Sequence, residues 1–216
     1  MRTRRYNQRT QSSRQVKCSN MMNGPFPMAD VARRSFHLVV HDQTPTDAVR
    51  SIRGGVCRTG DGTLGVSYVI AADVSRLRIP RPRPKAIAER LWQHTCCELF
   101  VMRRDVAEYH EFNFAPSGEW AAYRFAAYRD SQRLMDASIE PHVELRTTAE
   151  LLELDAAIRL DRLSRGHLSD ALALSVTAVI EESDGRISYW ALAHAPGKPD
   201  FHHRDAFAIS FDEIRN

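Results

Sequence analysis

From about Ser35 onward, apolar and polar side chains alternate with a period of two, and this restricts the fold more than any other feature of the sequence. Successive side chains of a strand point to opposite faces. Leu64, Val66, Tyr68 and Ile70 alternate with Gly65, Ser67 and Val69, directly after the turn-forming Thr59-Gly60-Asp61-Gly62, and predict one strand with a buried face. Cys96 to Arg103 and Glu108 to Phe114 read as a hairpin. On its second strand His110, Phe112 and Phe114 share an apolar face, while Tyr109, Glu111 and Asn113 share a wet or functional one. Pro116-Ser117-Gly118 then turns into a third strand, where Trp120, Ala122 and Arg124 lie on one side. The pattern returns at Leu152 to Leu160 and at Leu172 to Ile180. It turns at Ser183-Asp184-Gly185-Arg186 into Ile187 to His194, and closes with Phe207, Ile209 and Phe211. Several strands separated by turns, without alternating helices, predict an all-β antiparallel sandwich with at most short helices. One such helix is expected over Lys85 to Gln93. The preceding Arg78 to Lys85, with three prolines, cannot donate to a central ladder and is expected to be an extended surface loop.

The length of 216 residues fits one large sandwich, placed at 35–216. Residues 1–34 carry eight Lys or Arg against the single acid Asp30, whereas the whole chain is only +3, so the body is acidic. This stretch reads as a disordered tail, or as the product of an upstream start with Met21, Met22 or Met28 as the true beginning. Nothing in the body continues the basic face, so no specific nucleic-acid partner is expected. No apolar run reaches the length of a membrane span or a signal-peptide core, which predicts a cytoplasmic protein without a membrane partner. Cys18, Cys57, Cys96 and Cys97 form no spaced framework, and reduced thiols are expected.

The residue types that carry chemistry are present without the spacings that chemistry needs. His94-Thr95-Cys96-Cys97-Glu98 lacks the second ligand pair of a zinc site, and adjacent strand cysteines point apart. His110-Glu111-Phe112-Asn113 is not the helical HExxH of a metalloprotease, and the glycines make no phosphate-binding fingerprint. No metal and no cofactor follow from these residues. The segment from Trp190 to Arg204 gathers imidazoles and cations around a Pro-Gly-Lys-Pro loop, which either surrounds a ligand or plugs one end of the sandwich. Flat indoles can stack on a pyranose ring. Trp120 is the preferred platform, Trp92 the second, and Trp190 is expected to be buried.

Three segments, Leu91 to Val101 (LWQHTCCELFV), Tyr109 to Phe125 (YHEFNFAPSGEWAAYRF) and Tyr189 to Ile209 (YWALAHAPGKPDFHHRDAFAI), together resemble the DOMON-like family. More closely, they resemble its bacterial branch related to family 9 carbohydrate-binding modules. The resemblance spans about Phe36 to Phe211. It implies a sandwich that binds sugars in some members and haem in others, with calcium bound structurally in some. By matching position it implies Trp92, Glu98, Asn113, Trp120, Arg124, His194, Lys198, Phe201, His202 and Arg204 as ligand-binding residues. The expected function is a non-catalytic module for a small polar ligand, foremost a saccharide. A haem-binding module with a ligand such as Met102 is the first alternative. An enzyme using His202, Asp205 or the carboxylates Glu98 and Glu111 is the second.

Overall fold

A computed structural model describes residues 31–214, over which the alternation becomes two antiparallel layers. The first sheet has the spatial order β1 (Val31–Val40), β2 (Val49–Thr59), β3 (Thr63–Ala72), β9 (Leu151–Arg159) and β8 (His142–Thr147). The second runs β7 (Asp130–Leu134), β6 (Trp120–Ala127), β5 (Tyr109–Phe114), β4 (Cys96–Arg103), β10 (Leu172–Glu181) and β11 (Ile187–Ala191). Beside β11, β12 (Ile209–Phe211) pairs with the start of β10. Strand β1 belongs to both layers. Its body pairs with β2, whereas Val39 and Val40 pair with Ala191 and Trp190 of β11, closing one corner of the sandwich.

The core lies between the layers. Leu64, Val66, Tyr68 and Ile70 of β3 are each 0% exposed and join one cluster with Leu99, Val101, Phe112 and Phe114 of the second sheet. Burying each such side chain contributes roughly 1.5–3 kcal/mol. The Tyr68 hydroxyl crosses the layers and donates to the Glu98 carbonyl at 2.5 Å, which fixes β4 against β3. Arg58 is buried as well, and its guanidinium donates to the carbonyls of His167, Leu168, Asp170 and Asp212. It thereby ties the β9–β10 connection and the chain beyond β12 to β2. Trp190 is buried, as the sequence suggests.

Gly54 of β2 is required by close approach. A Cβ there would lie 1.8 Å from the Ser67 carbonyl oxygen and 2.5 Å from the Phe36 ring, which sits opposite it in register. Gly54→Ala is expected to destabilise the fold by about 3 kcal/mol, because backbone of β3 must move. A urea midpoint unchanged by this substitution would contradict the packing described.

Two expectations are corrected. Lys85 to Gln93 is not a helix beyond the single 3-10 turn Leu91–Gln93. Ala86 and Ala88 instead hydrogen-bond the backbone of Trp120 in an extended bridge, and this tertiary pairing overrides local helix propensity. Cys57 is disulfide-bonded, whereas Cys96 and Cys97 are free and buried. Pairing requires two Cα atoms within about 7 Å, a spatial condition that sequence spacing does not reveal. Arg78 to Lys85 is extended and outside any strand, as expected. Of the basic segment 1–34, Val31 to Arg34 open β1, and the rest lies outside the described residues.

Candidate functional site

Alternation along the second sheet sends two sets of side chains in opposite directions. Cys97, Leu99, Phe112, Phe114, Trp120 and Ala122 enter the core. Glu98, Phe100, Tyr109, Glu111, Asn113, Tyr123 and Phe125 occupy the other face, which the chain covers again as it passes from Pro199 to Phe207. That return converts a sheet surface into a cavity of about 300 Å³. Its floor is Glu98 and Glu111, and Trp92, Tyr123, Phe125, Tyr189, Phe201 and His202 surround it. Asp200 holds the covering segment down. It accepts from Arg129 at 2.9 Å, from the Tyr128 hydroxyl and from the His202 amide, so the segment is fastened to the β6–β7 turn.

Two non-glycine residues with left-handed backbone flank this cavity. Arg90 (φ 56) starts the turn that carries Trp92 to the rim, and Arg129 (φ 59) sits in the β6–β7 turn. Such conformations are uncommon outside glycine and concentrate where a side chain must be aimed. Trp92 remains 40% exposed and meets Tyr123 edge to face at 5.7 Å. An exposed indole at a rim is available for stacking.

Glu98 and Glu111 are only 2% and 6% exposed. Glu98 accepts from the Thr177 hydroxyl at 2.8 Å, and Glu111 accepts from the Asn113 amide at 2.6 Å. Both partners are neutral. Burial pushes the Glu98 carboxyl well above its ordinary range, and the charge of Glu111 adds to that; the Thr177 hydrogen bond opposes it. Burial likewise pushes Glu111 up to about 7, against the Asn113 hydrogen bond and Arg129. His202 meets the Tyr109 hydroxyl at 3.0 Å through Nδ1, and its Nε2 stands 3.9 Å from Glu111. Burial, with Arg129 adding, lowers the imidazole to about 4, so it is neutral near pH 7 and that approach is not an ion pair. The Cys96 thiol beside this floor is pushed well up by burial and by Glu98, which makes it an inert thiol rather than a nucleophile.

Of the ten residues singled out from the sequence, Trp92, Glu98, Phe201 and His202 line the cavity, and Asn113 supports it from beneath. Trp120 does not. It is 1% exposed in the core, because the register of β6 turns Trp120 and Ala122 inward and Tyr123 and Phe125 toward the cavity, so its role as the platform is corrected. Arg124 is paired with Glu108 beside His110, at a different cavity. His194 meets the Val39 carbonyl at 3.0 Å and packs on His41. Lys198 is exposed outside the cavity. Arg204 lines an adjoining cavity of about 360 Å³ with Met102, Tyr109, His202 and His203. Tyr123, Phe125, Arg129 and Tyr189 were missed. The first two lie on the opposite parity of the strand that carries Trp120, and alternation marks both of its faces as apolar. Among the described residues, no three His, Cys, Asp or Glu side chains are grouped to hold a metal ion.

No protein-family model and no curated protein matches this chain. Among solved structures it is similar to a provisionally named carbohydrate-binding protein from Bacteroides uniformis, with 12% identity, a TM-score of 0.57, and coverage of 82% of this chain and 84% of that one. It also overlaps a family 9 carbohydrate-binding module from Caldicellulosiruptor kristjanssonii in complex with glucose, at 12% identity, a TM-score of 0.44, and coverage of 71% of each chain. The same organism's family 9 module with cellotriose gives 12% identity, a TM-score of 0.43, and coverage of 74% and 79%. The first of these likenesses establishes a shared sandwich fold.

Proposed function

We propose that this chain is a non-catalytic, DOMON-like binding module that takes a small saccharide in the cavity on the outer face of the second sheet. The observation that carries the reading is aromatic rings set around carboxyl groups with unfilled hydrogen-bonding capacity. A pyranose offers an apolar face to rings such as Trp92 and hydroxyls to acceptors such as Glu98 and Glu111. The Bacteroides neighbour, provisionally named a carbohydrate-binding protein, agrees with it. Both carboxyls stand on one face of the adjacent strands β4 and β5.

No resident cofactor is part of this proposal. Met102 and His202 share the adjoining cavity, where Nδ1 of His202 meets Tyr109 and its Nε2 stands 3.9 Å from Glu111. A Soret band retained by the purified protein after haem incubation would contradict this.

Calorimetry against a panel of mono- and disaccharides tests the reading. Trp92→Ala is expected to weaken the best saccharide about tenfold, roughly 1.4 kcal/mol, with an unchanged melting temperature because the residue is at the rim. An affinity that survives this substitution would remove Trp92 from the site.

A further inference from the structure

Building on the saccharide reading above, we infer that the sugar taken by this cavity carries an ammonium group. Two carboxyl groups are buried at the floor, and among the described residues no lysine or arginine forms an ion pair with either. Arg129 lines the cavity, but its guanidinium is matched by Asp200 at 2.9 Å. His202 approaches Glu111 only to 3.9 Å and gives its Nδ1 to the Tyr109 hydroxyl. Neither carboxyl therefore has a cationic side chain paired with it in the cavity.

Hydrogen bonding points the same way. Glu98 uses one oxygen for Thr177 and Glu111 uses one for Asn113, which leaves the second oxygen of each without a hydrogen bond in a cavity they line. Buried carboxyls without a counter-charge are held toward the neutral form, and hydroxyl donors do not change that, whereas a bound cation would draw them to the charged one. An ammonium supplies both charge and three N–H donors. The walls suit the same group, because the π-faces of Trp92, Tyr123 and Phe125 attract a cation and do so more strongly where water is excluded. Rings and uncompensated acid together describe a receptor for an amino sugar better than for a neutral one.

The test is calorimetry at pH 7 with glucosamine, galactosamine and mannosamine, each against its parent hexose and its N-acetyl form. At least one hexosamine is expected to bind about tenfold or more tightly than its parent, and N-acetylation, which removes the charge and keeps the ring, is expected to abolish that margin. In Glu111→Gln the ratio of hexosamine to hexose affinity is expected to fall toward one, with a thermal melt confirming that the variant is folded. The comparison among ligands on the unaltered protein decides the matter even if that variant does not fold. Equal affinity for hexose and hexosamine would overturn the ammonium assignment and leave the saccharide reading standing. No heat with any member of the panel at millimolar concentration would overturn both.

Discussion

Trp120→Ala is expected to lower the folding stability by about 3–5 kcal/mol, the range for truncating a large buried aromatic. The indole is 1% exposed and belongs to the main core cluster, where its strand neighbour in register is Phe114. Its backbone bonds to Ala86 and Ala88 survive truncation, so the loss is one of packing rather than of strand pairing. For a domain of this size the melting temperature should fall by roughly 6–20 °C. The contrast with Trp92→Ala is the informative part. The core variant should lose stability and keep its saccharide affinity while folded, whereas the rim variant should do the reverse. A loss below about 1 kcal/mol in urea unfolding of Trp120→Ala would mean that the indole is not the core element described here.

Stability is expected to pass through a maximum near pH 6.5. His110, His167 and His202 each have pKa values lowered to about 4, by burial first, so they are neutral in the fold and charge more readily when unfolded. Their contribution is complete above about pH 6.5 and is lost as pH falls through 6.5 toward 4. Glu98 and Glu111 act in the opposite sense. Their carboxyls are raised in the folded protein, Glu111 to about 7, so the unfolded chain releases protons first and stability is lost as pH rises from about 4.5 through 7. Between pH 4.5 and 6.5 three histidines outweigh two carboxyls, and above 6.5 only the carboxyls remain. Glu111→Gln should therefore match the wild type near pH 4.5 and exceed it at pH 8 by about 3 kcal/mol, the equivalent of the shift of Glu111. Urea midpoints measured from pH 4.5 to 8.5 check both limbs. A wild-type curve still rising at pH 8 would contradict the buried, uncompensated state of the pair.

Much of the fold was legible because alternation is a direct consequence of strand geometry. The alternate residues of β3 from Leu64 to Ile70 all entered the core, and the face of β5 bearing Tyr109, Glu111 and Asn113 became the one that faces the cavity. The same rule could not assign the faces of β6. Trp120 and Ala122 on one side and Tyr123 and Phe125 on the other are both apolar, and alternation does not say which set meets the opposite sheet. The answer depended on a long-range event, the return of Pro199 to Phe207 across the outer face, which buried Glu98 and Glu111 where a strand surface would be wet. That return also explains why Phe201 and His202 reach the site whereas Lys198 and Arg204, only a few residues away, do not. The extended path of Ala86 to Ala88 was hidden for a similar reason, since it rests on Trp120, a partner distant in sequence.

Nitrogen-15 NMR of the three indole N–H groups during saccharide titration tests the location of the ligand most directly. Trp92 at the rim should shift progressively to saturation, while Trp120 and Trp190 in the interior stay in place. Saturable binding with an unmoved Trp92 signal, or with shifts gathered on the outer face of β2 around Gly55, would place the ligand elsewhere and contradict the account.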